Sequence, residues 1–207
     1  MIEIAKEENV NINVNYYLNS KVDFDTEGID SLNYYDDSNS LDFGAYNEII
    51  STSKDRVSLV INDTFFTKHM YTNELKEILR RCDYIYSENI DKSILIGPYR
   101  QCNYRFKATQ NEFVATYLFA FNRAFANSYR EAYLQDKSKY DQIISIYKYY
   151  LHGSIPRDKN LAKFNAVVYE RIVSEVAFNN GVIWYLDFGL FERLKNMIVR
   201  RLTVNWK

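Results

Sequence analysis

Proline and glycine are scarce in this chain, two and six among 207 residues. That leaves no linker-like, collagen-like or low-complexity stretch, and the chain carries no internal repeat. Its two cysteines, Cys82 and Cys102, stand apart with no CxxC and no Cys/His cluster. This excludes a disulfide framework or a zinc knuckle and fits reduced thiols. No run approaches the roughly 20 apolar residues needed to span a bilayer. The opening MIEIAKEENV brings acids at once and has no apolar core, so the expectation is a chain without a secretory signal, made and kept in the cytoplasm. Nor is there an excess of one charge: 26 basic residues are spread among 27 acidic ones, a net charge of −1. A phosphate backbone is gripped by clustered Lys and Arg, so no nucleic acid is expected as the main partner. A nucleotide is compatible with this balance, since a few local groups hold a diphosphate.

What is present is ordinary globular material, 47% hydrophobic and 26% charged. The length predicts a single domain over residues 1–207. A domain of this size buries roughly 70% of the surface that its unfolded chain exposes and needs no staple. Nineteen tyrosines and thirteen phenylalanines are many. They serve core packing, stacking on a sugar or base, or compositional drift, and the count alone does not choose.

Residues 11–18, NINVNYYL, set Ile12, Val14 and Tyr16 against Asn11, Asn13 and Asn15, the alternation of a strand. Residues 19–40 are polar and read mainly as loop. A short helix follows, with Phe43, Tyr46, Ile49 and Ile50 on one face and Ser40 or Asp42 as its cap. The apolar run Val57–Ile61 reads as a buried strand in the sheet interior, and Asn73 to Arg81 as a helix with Arg80 and Arg81 at its C-terminal end. Ser93 to Gly97 reads as a strand stopped by Gly97-Pro98. Ala115 to Phe121, apolar on both faces, reads as a central strand, after which Asn122 caps a helix to about Leu134. Two longer helices follow, one with Tyr140, Ile144, Tyr147 and Leu151, the other with Leu161, Phe164, Val168, Ile172 and Val176. The second ends at Asn179-Asn180-Gly181, a helix-stopping sequence. Val182 to Leu186 is a strand, and Leu190, Phe191, Leu194, Met197 and Ile198 line a last helix. The expected class is therefore α/β: a mostly parallel sheet flanked by helices, with a helical C-terminal half.

In open α/β sheets, ligands bind beyond the carboxyl ends of the strands. Asn62-Asp63-Thr64 stands at such an end, where a carboxylate holds a metal or a ribose hydroxyl. The competing reading is a turn in which Asp63 caps the next segment. The helix opening near Asp42 offers unpaired N–H groups to an anion, and Gly44 in its first turn allows close approach. Capping is again the plainer use.

Taken in order, NS-x-DFGAY opening a helix and then a hydrophobic strand ending in NDT resemble glycosyltransferase-like proteins encoded among bacterial polysaccharide genes, similar to rhamnan-synthesis proteins. INDTFFTKH at 61–69, IGPYR at 96–100 and ATYLFAFNR at 115–123 extend the likeness over roughly residues 14–130. The resemblance implies a nucleotide-sugar-binding fold of the GT-A type. It implies a strand-end Asp-x-Asp that helps to hold a divalent cation and the donor diphosphate; here the matching residues are Asn62, Asp63 and Thr64, with one carboxylate. Mg²⁺ or Mn²⁺ would then rest on Asp63 plus substrate phosphates. It also implies an acidic pair near the start of a later helix, one member being a general base. Glu170 matches that position, with Arg171 where the second acid is expected. A surface Glu paired with a neighbouring Arg is the alternative for Glu170.

The implied site is thus catalytic Glu170 and Asp63, with Asp42, Gly44, Asn62, Asp63, Lys68, His69 and Arg100 around the donor. Arg105 and Lys107 are further cations near the strand ends, and each basic residue also reads as ordinary surface. Arg193 and Arg200 flank the apolar face of the last helix, with Lys195 and Lys207 nearby. That face packs onto the sheet or lies peripherally on an anionic membrane presenting a lipid-linked acceptor. The leading expectation is a glycosyltransferase moving a sugar from a nucleotide sugar onto a bacterial polysaccharide or lipid-linked glycan. The alternatives are a non-catalytic relative that binds a sugar nucleotide or a pathway protein, and an interaction protein whose Tyr-rich surfaces meet a partner.

Overall fold

The computed structural model describes residues 2–13, 15–18, 30–34, 43–62, 65, 72–101, 112–134 and 170–186. In chain order these form α1 (Ile2–Glu7), β1 (Asn15–Leu18), β2 (Ser31–Tyr34), α2 (Phe43–Thr52), β3 (Val57–Ile61) and α3 (Thr72–Ser87). They continue with β4 (Ile94–Gln101), β5 (Glu112–Val114), β6 (Leu118–Asn122), α4 (Arg123–Tyr129) with a π-helical turn (Arg130–Leu134), α5 (residues 170–180) and β7 (Val182–Leu186). β1 and β2 pair in parallel as a small separate sheet. Both the N-terminal helix and β2, in the segment expected to be loop, add elements to the sequence reading.

Among the described residues the main sheet has five strands, β3-β6-β4 with β5 and β7 also on β4. Helices flank both faces, so the chain is α/β. The sheet is mixed rather than mostly parallel, because β6 runs against both β3 and β4 and β5 runs against β4. Among the described residues only β7 joins β4 in parallel. Since β3 and β4 both oppose β6, and β7 follows β4, the strands β3, β4 and β7 share one direction; β3 and β7 end at one edge, which β4 runs past to Gln101. Among the described residues β3 pairs on one side only, with Val60 its one buried residue. The expectation that it lies inside the sheet is corrected accordingly; the interior place belongs to β6, whose five residues are all buried.

Strand alternation sorts the core into two layers. Val60, Leu95, Phe119, Phe121, Ile183 and Tyr185 face α2, α4 and α5. Val57, Leu59, Ile61, Ile94, Ile96, Leu118, Ala120, Trp184 and Leu186 face α1 and α3. Period-2 side chains with apolar residues at both parities require cover on both sides. α3 places Leu75, Ile78, Leu79, Cys82 and Ile85 on its buried face, and this stripe carries it six residues beyond Arg81. Arg80 and Arg81 are therefore mid-helix, paired with Glu8 at 2.7 Å and Glu77 at 2.8 Å. The helix stops where Asn89 takes φ 52° and Ile90 N–H donates back to Ile85 O at 3.2 Å, a Schellman closure. α1 ends the same way, with Asn9 at φ 55° and Val10 N–H on Ala5 O at 2.9 Å. Burial, with the charge of Asp83 second, pushes the Cys82 thiol up to about 12, leaving it a protonated core group.

Asn122 ties the layers together. Its Oδ1 accepts the Phe125 N–H at 3.0 Å, capping α4 as expected, and the Ile94 N–H at 3.0 Å, which starts β4. Its Nδ2 donates to Ile90 O at 3.1 Å and Lys92 O at 2.7 Å, fixing the connection from α3. All four hydrogen-bonding positions of a buried amide are used. Asn122→Ala is expected to lower unfolding free energy by about 3 kcal/mol, a lost cap plus buried backbone groups left unmet. Urea titration checks this, and a loss under about 1 kcal/mol would mean that Asn122 is not the tie described.

Candidate functional site

The edge where β3 and β7 end, and which β4 runs past to Gln101, is also where β5 gives way to β6, and the two registers against β4 disagree. β4 pairs Ile96 with Ala120 and Tyr99 with Val114. From Ile96 to Tyr99 β4 advances three residues, while its partner covers six, so three are surplus. Ala115 N–H still donates to Pro98 O at 3.0 Å, which places the surplus in the turn around Thr116 and Tyr117. Tyr117 and Leu118 consequently face the same side, the signature of a bulge.

The bulge explains why β4 runs through Gly97-Pro98 to Gln101 instead of stopping there. The N–H that Pro98 lacks would point to the bulged neighbour, as its carbonyl does, where the ladder is already broken. A Cβ on Gly97 would overlap Val114 Cγ1 and sit 3.1 Å from Leu118 O, so the strand needs glycine at this crossing.

A bulge leaves backbone groups without ladder partners, and α5 supplies them. Thr116 N–H donates to Glu170 Oε1 at 2.8 Å, with the Thr116 hydroxyl 3.3 Å from the same oxygen. One turn on, Ser174 Oγ accepts the Val114 N–H at 3.0 Å. The spacing of four residues puts both side chains on one helix face. Tyr117 O accepts the Asn62 N–H at 3.2 Å, so the end of β3 is fastened to the same turn.

On the α3 side of the bulge, Tyr117 stacks on Phe65 at 6.4 Å. Its hydroxyl accepts from Arg100 Nη2 at 3.0 Å and donates to Glu74 Oε2 at 3.3 Å. The Arg100 guanidinium also lies 5.5 Å from the Tyr117 ring centroid. On the other side Arg171, 8% exposed, lies with its Cζ 3.3 Å from the Phe113 ring centroid. Burial pushes the Glu170 carboxyl pKa up. The Thr116 N–H, the Arg171 charge, the Thr116 hydroxyl and the Arg100 charge act in that order to lower it without cancelling the rise.

Among the residues expected at the site, Glu170, Asn62 and Arg100 come together at this edge. Glu170 is no surface residue paired with an Arg: it makes no ion pair among the described residues. Asn62 is engaged locally, with Phe65 N–H 3.2 Å from its Oδ1 and 3.1 Å from its carbonyl. Gly44 opens α2, whose Tyr46 ring packs on Phe119 at 5.4 Å, opposite Val60, while Ser53 after the helix meets Ser58 at 2.8 Å. α2 thus runs against β3 and turns its first residues toward the same edge. Asp42, Asp63, Lys68, His69, Arg105, Lys107 and the last helix lie outside the described residues. Thr116, Tyr117, Glu74 and Ser174 were not anticipated. Their signal was Gly97-Pro98 set against a polar Thr116 inside an apolar run.

Among the described residues no group of three or more His, Cys, Asp or Glu is placed to hold a metal ion. Among them, too, no helix is long and apolar enough to cross a membrane. Comparisons with protein-family models, curated proteins and solved structures return no match.

The raised Glu170 pKa sets a pH signature. A carboxyl with a folded-state pKa above its unfolded value, near 4.5, contributes stability below that value, lost as pH rises through the folded pKa. Glu170→Gln keeps an acceptor for Thr116 without the charge. Its stability relative to the native chain is expected to improve as pH is raised from below 4.5 to neutrality. Thermal unfolding across that range checks it, and a trend in the opposite direction would show a carboxylate stabilised by its cations.

Proposed function

We propose that the chain is a glycosyltransferase that takes a sugar from a nucleoside-diphosphate donor to a glycan acceptor, polysaccharide or lipid-linked, at the carboxyl edge of the sheet. The observation that carries this reading is Glu170. One carboxylate oxygen is anchored on Thr116, and the other accepts no hydrogen bond among the described residues. A base of raised pKa at the ligand-binding edge of an α/β sheet suits proton abstraction from a hydroxyl at neutral pH. The likeness of residues 14–130 to glycosyltransferase-like proteins of bacterial polysaccharide synthesis, of GT-A type, supports the same assignment.

In this reading the acceptor oxygen bonds to the anomeric carbon, the bond from that carbon to the diphosphate oxygen breaks, and the acceptor proton passes to Glu170. The leaving diphosphate carries the electron pair away. Arg100, with Lys68 and His69 from the segment after Asp63, supplies fixed positive charge where it accumulates. Asp42, Gly44 and Asn62 border the donor. Mg²⁺ or Mn²⁺, held by Asp63 and the donor phosphates, would add charge neutralisation there. The C-terminal segment with Arg193 and Arg200, whose sequence reads as an amphipathic helix, is the proposed contact with a cytoplasmic membrane face.

A second reading has its own observation: the bond from Thr116 N–H gives Glu170 a purely structural use, as in a non-catalytic sugar-nucleotide binder. Fold-level analogy does not separate the two. Release of nucleoside diphosphate from a panel of nucleotide sugars does, alongside nucleotide-induced thermal stabilisation. Glu170→Gln is expected to lower turnover by about 100-fold or more, the usual worth of a general base, with donor binding kept. Asp63→Asn is expected to abolish donor binding with little change in melting temperature. Donor stabilisation without turnover in the native chain selects the binding reading, and absence of both ends the proposal.

A further inference from the structure

Arg171 is more than nine-tenths buried, yet its Nε and Nη1 have no hydrogen-bond partner and it forms no ion pair among the described residues. Its neighbour Glu170 does not serve it. Successive helical residues diverge by about 100°, and the Glu170 carboxylate is turned to the bulge at Thr116. The Phe113 ring against the guanidinium, 3.3 Å from Cζ to centroid, offers a π face but accepts none of the in-plane N–H bonds. Arginine does not discharge on burial as lysine does. The Glu170 charge is felt through space but meets none of these donors, so the burial of the guanidinium is incompletely compensated. A second unmet donor lies toward the same end of the same sheet face: the buried Tyr185 hydroxyl, whose ring meets Tyr99 at 5.0 Å. Burial, then the charges of Glu112 and Tyr99, raise its pKa, so it stays protonated and able to donate.

We propose that Arg171 is the receptor for an oxyanion that enters beside Glu170: the carboxylate of an acidic sugar or a phosphoryl group. An oxyanion supplies several acceptor lone pairs and the missing charge at once, and charge-assisted bonds to guanidinium are the strong ones. Resting on the glycosyltransferase reading, this narrows the substrate class. The acceptor, or the transferred sugar, carries a negative group that Arg171 holds while Glu170 faces the reacting hydroxyl. Arg171 is then a specificity residue, placed where the resemblance expects a second acid.

Binding tests this without turnover, so the two proposals fail separately. The full chain is melted with D-glucuronate, inorganic phosphate or neutral glucose at constant ionic strength. Near-saturating anion is expected to raise the melting temperature by about 2 °C or more, and glucose to leave it unchanged. A shift with glucuronate alone assigns the carboxylate, and with phosphate alone the phosphoryl group. Arg171→Met is expected to lose the shift and, without anion, to melt at or above the native temperature, because an unpaired buried charge has been replaced by apolar volume. Arg171→Lys is expected to show a weakened shift. The proposal is overturned if neither anion stabilises the native chain, or if the shift survives in Arg171→Met. It is equally overturned if Arg171→Met melts well below the native chain or fails to fold, since Arg171 would then be a structural cation on Phe113. An Arg171-dependent shift in a chain that turns over no donor keeps the anion site and removes the enzyme.

Discussion

The three surplus residues between β5 and β6 are the constraint from which the rest of this edge follows. A strand with more residues than its neighbour must shed backbone bonds, and each buried N–H left unmet costs about 1 to 3 kcal/mol. Here α5 answers with two side chains one turn apart, Glu170 for Thr116 and Ser174 for Val114. The helix is thereby registered on the sheet by polar bonds as well as by Ile172, Val173, Val176 and Ala177 in the core. Where α5 leaves, Gly181 lies so close to Ser93 that an added Cβ would be 2.6 Å from Ser93 Oγ, and Val182 N–H closes onto Ser93 O at 2.9 Å. The helix is pinned at both described ends, which holds the Glu170 carboxyl in place.

The bulge also separates charges that would otherwise meet. Its main chain stands between Glu170 on the α5 side and Arg100, Tyr117 and Glu74 on the α3 side. Across that wall Arg100 lowers the Glu170 pKa, but less than burial raises it. A direct ion pair would have fixed the carboxylate as a weak base. Kept apart, the cations act on the Glu170 carboxyl through space without cancelling the rise that burial causes. The Tyr117 hydroxyl, receiving from the exposed Arg100 and giving to the buried Glu74, relays between the two charges and orients the guanidinium.

How much of this was legible follows from the kind of signal each element leaves. The Asn122 cap, the buried run of β6, the stripe of α3 and the Gly181 stop are local patterns, and the structure has them near the expected positions. Strand direction is not local: Leu118–Asn122 is apolar at both parities, and that pattern is the same for a strand running either way. The length of β4 was misread because Pro98 normally ends a ladder, and only the partner's bulge makes its missing donor harmless. β2 was missed because the alternation of Ser31–Tyr34 spans only four residues, set in a polar segment. Glu170 was found through resemblance, while its partner Thr116 left only the trace of one polar residue in an apolar run.

The sequence pair Glu170-Arg171 shows why adjacency along a chain says little about function until the helix is placed. Read as neighbours, the two look like an ion pair that neutralises itself. On α5 they point apart by about 100°, one to the bulge and one to the Phe113 ring. Each consequently keeps, among the described residues, what pairing would have removed: Glu170 a second oxygen that accepts no hydrogen bond and a raised pKa, Arg171 two donors without an acceptor. A core that merely needed packing at position 171 would gain by exchanging the guanidinium for a hydrocarbon side chain of similar volume. Holding a permanent charge in that position has a physical rationale when the missing half of the pair is supplied from solution.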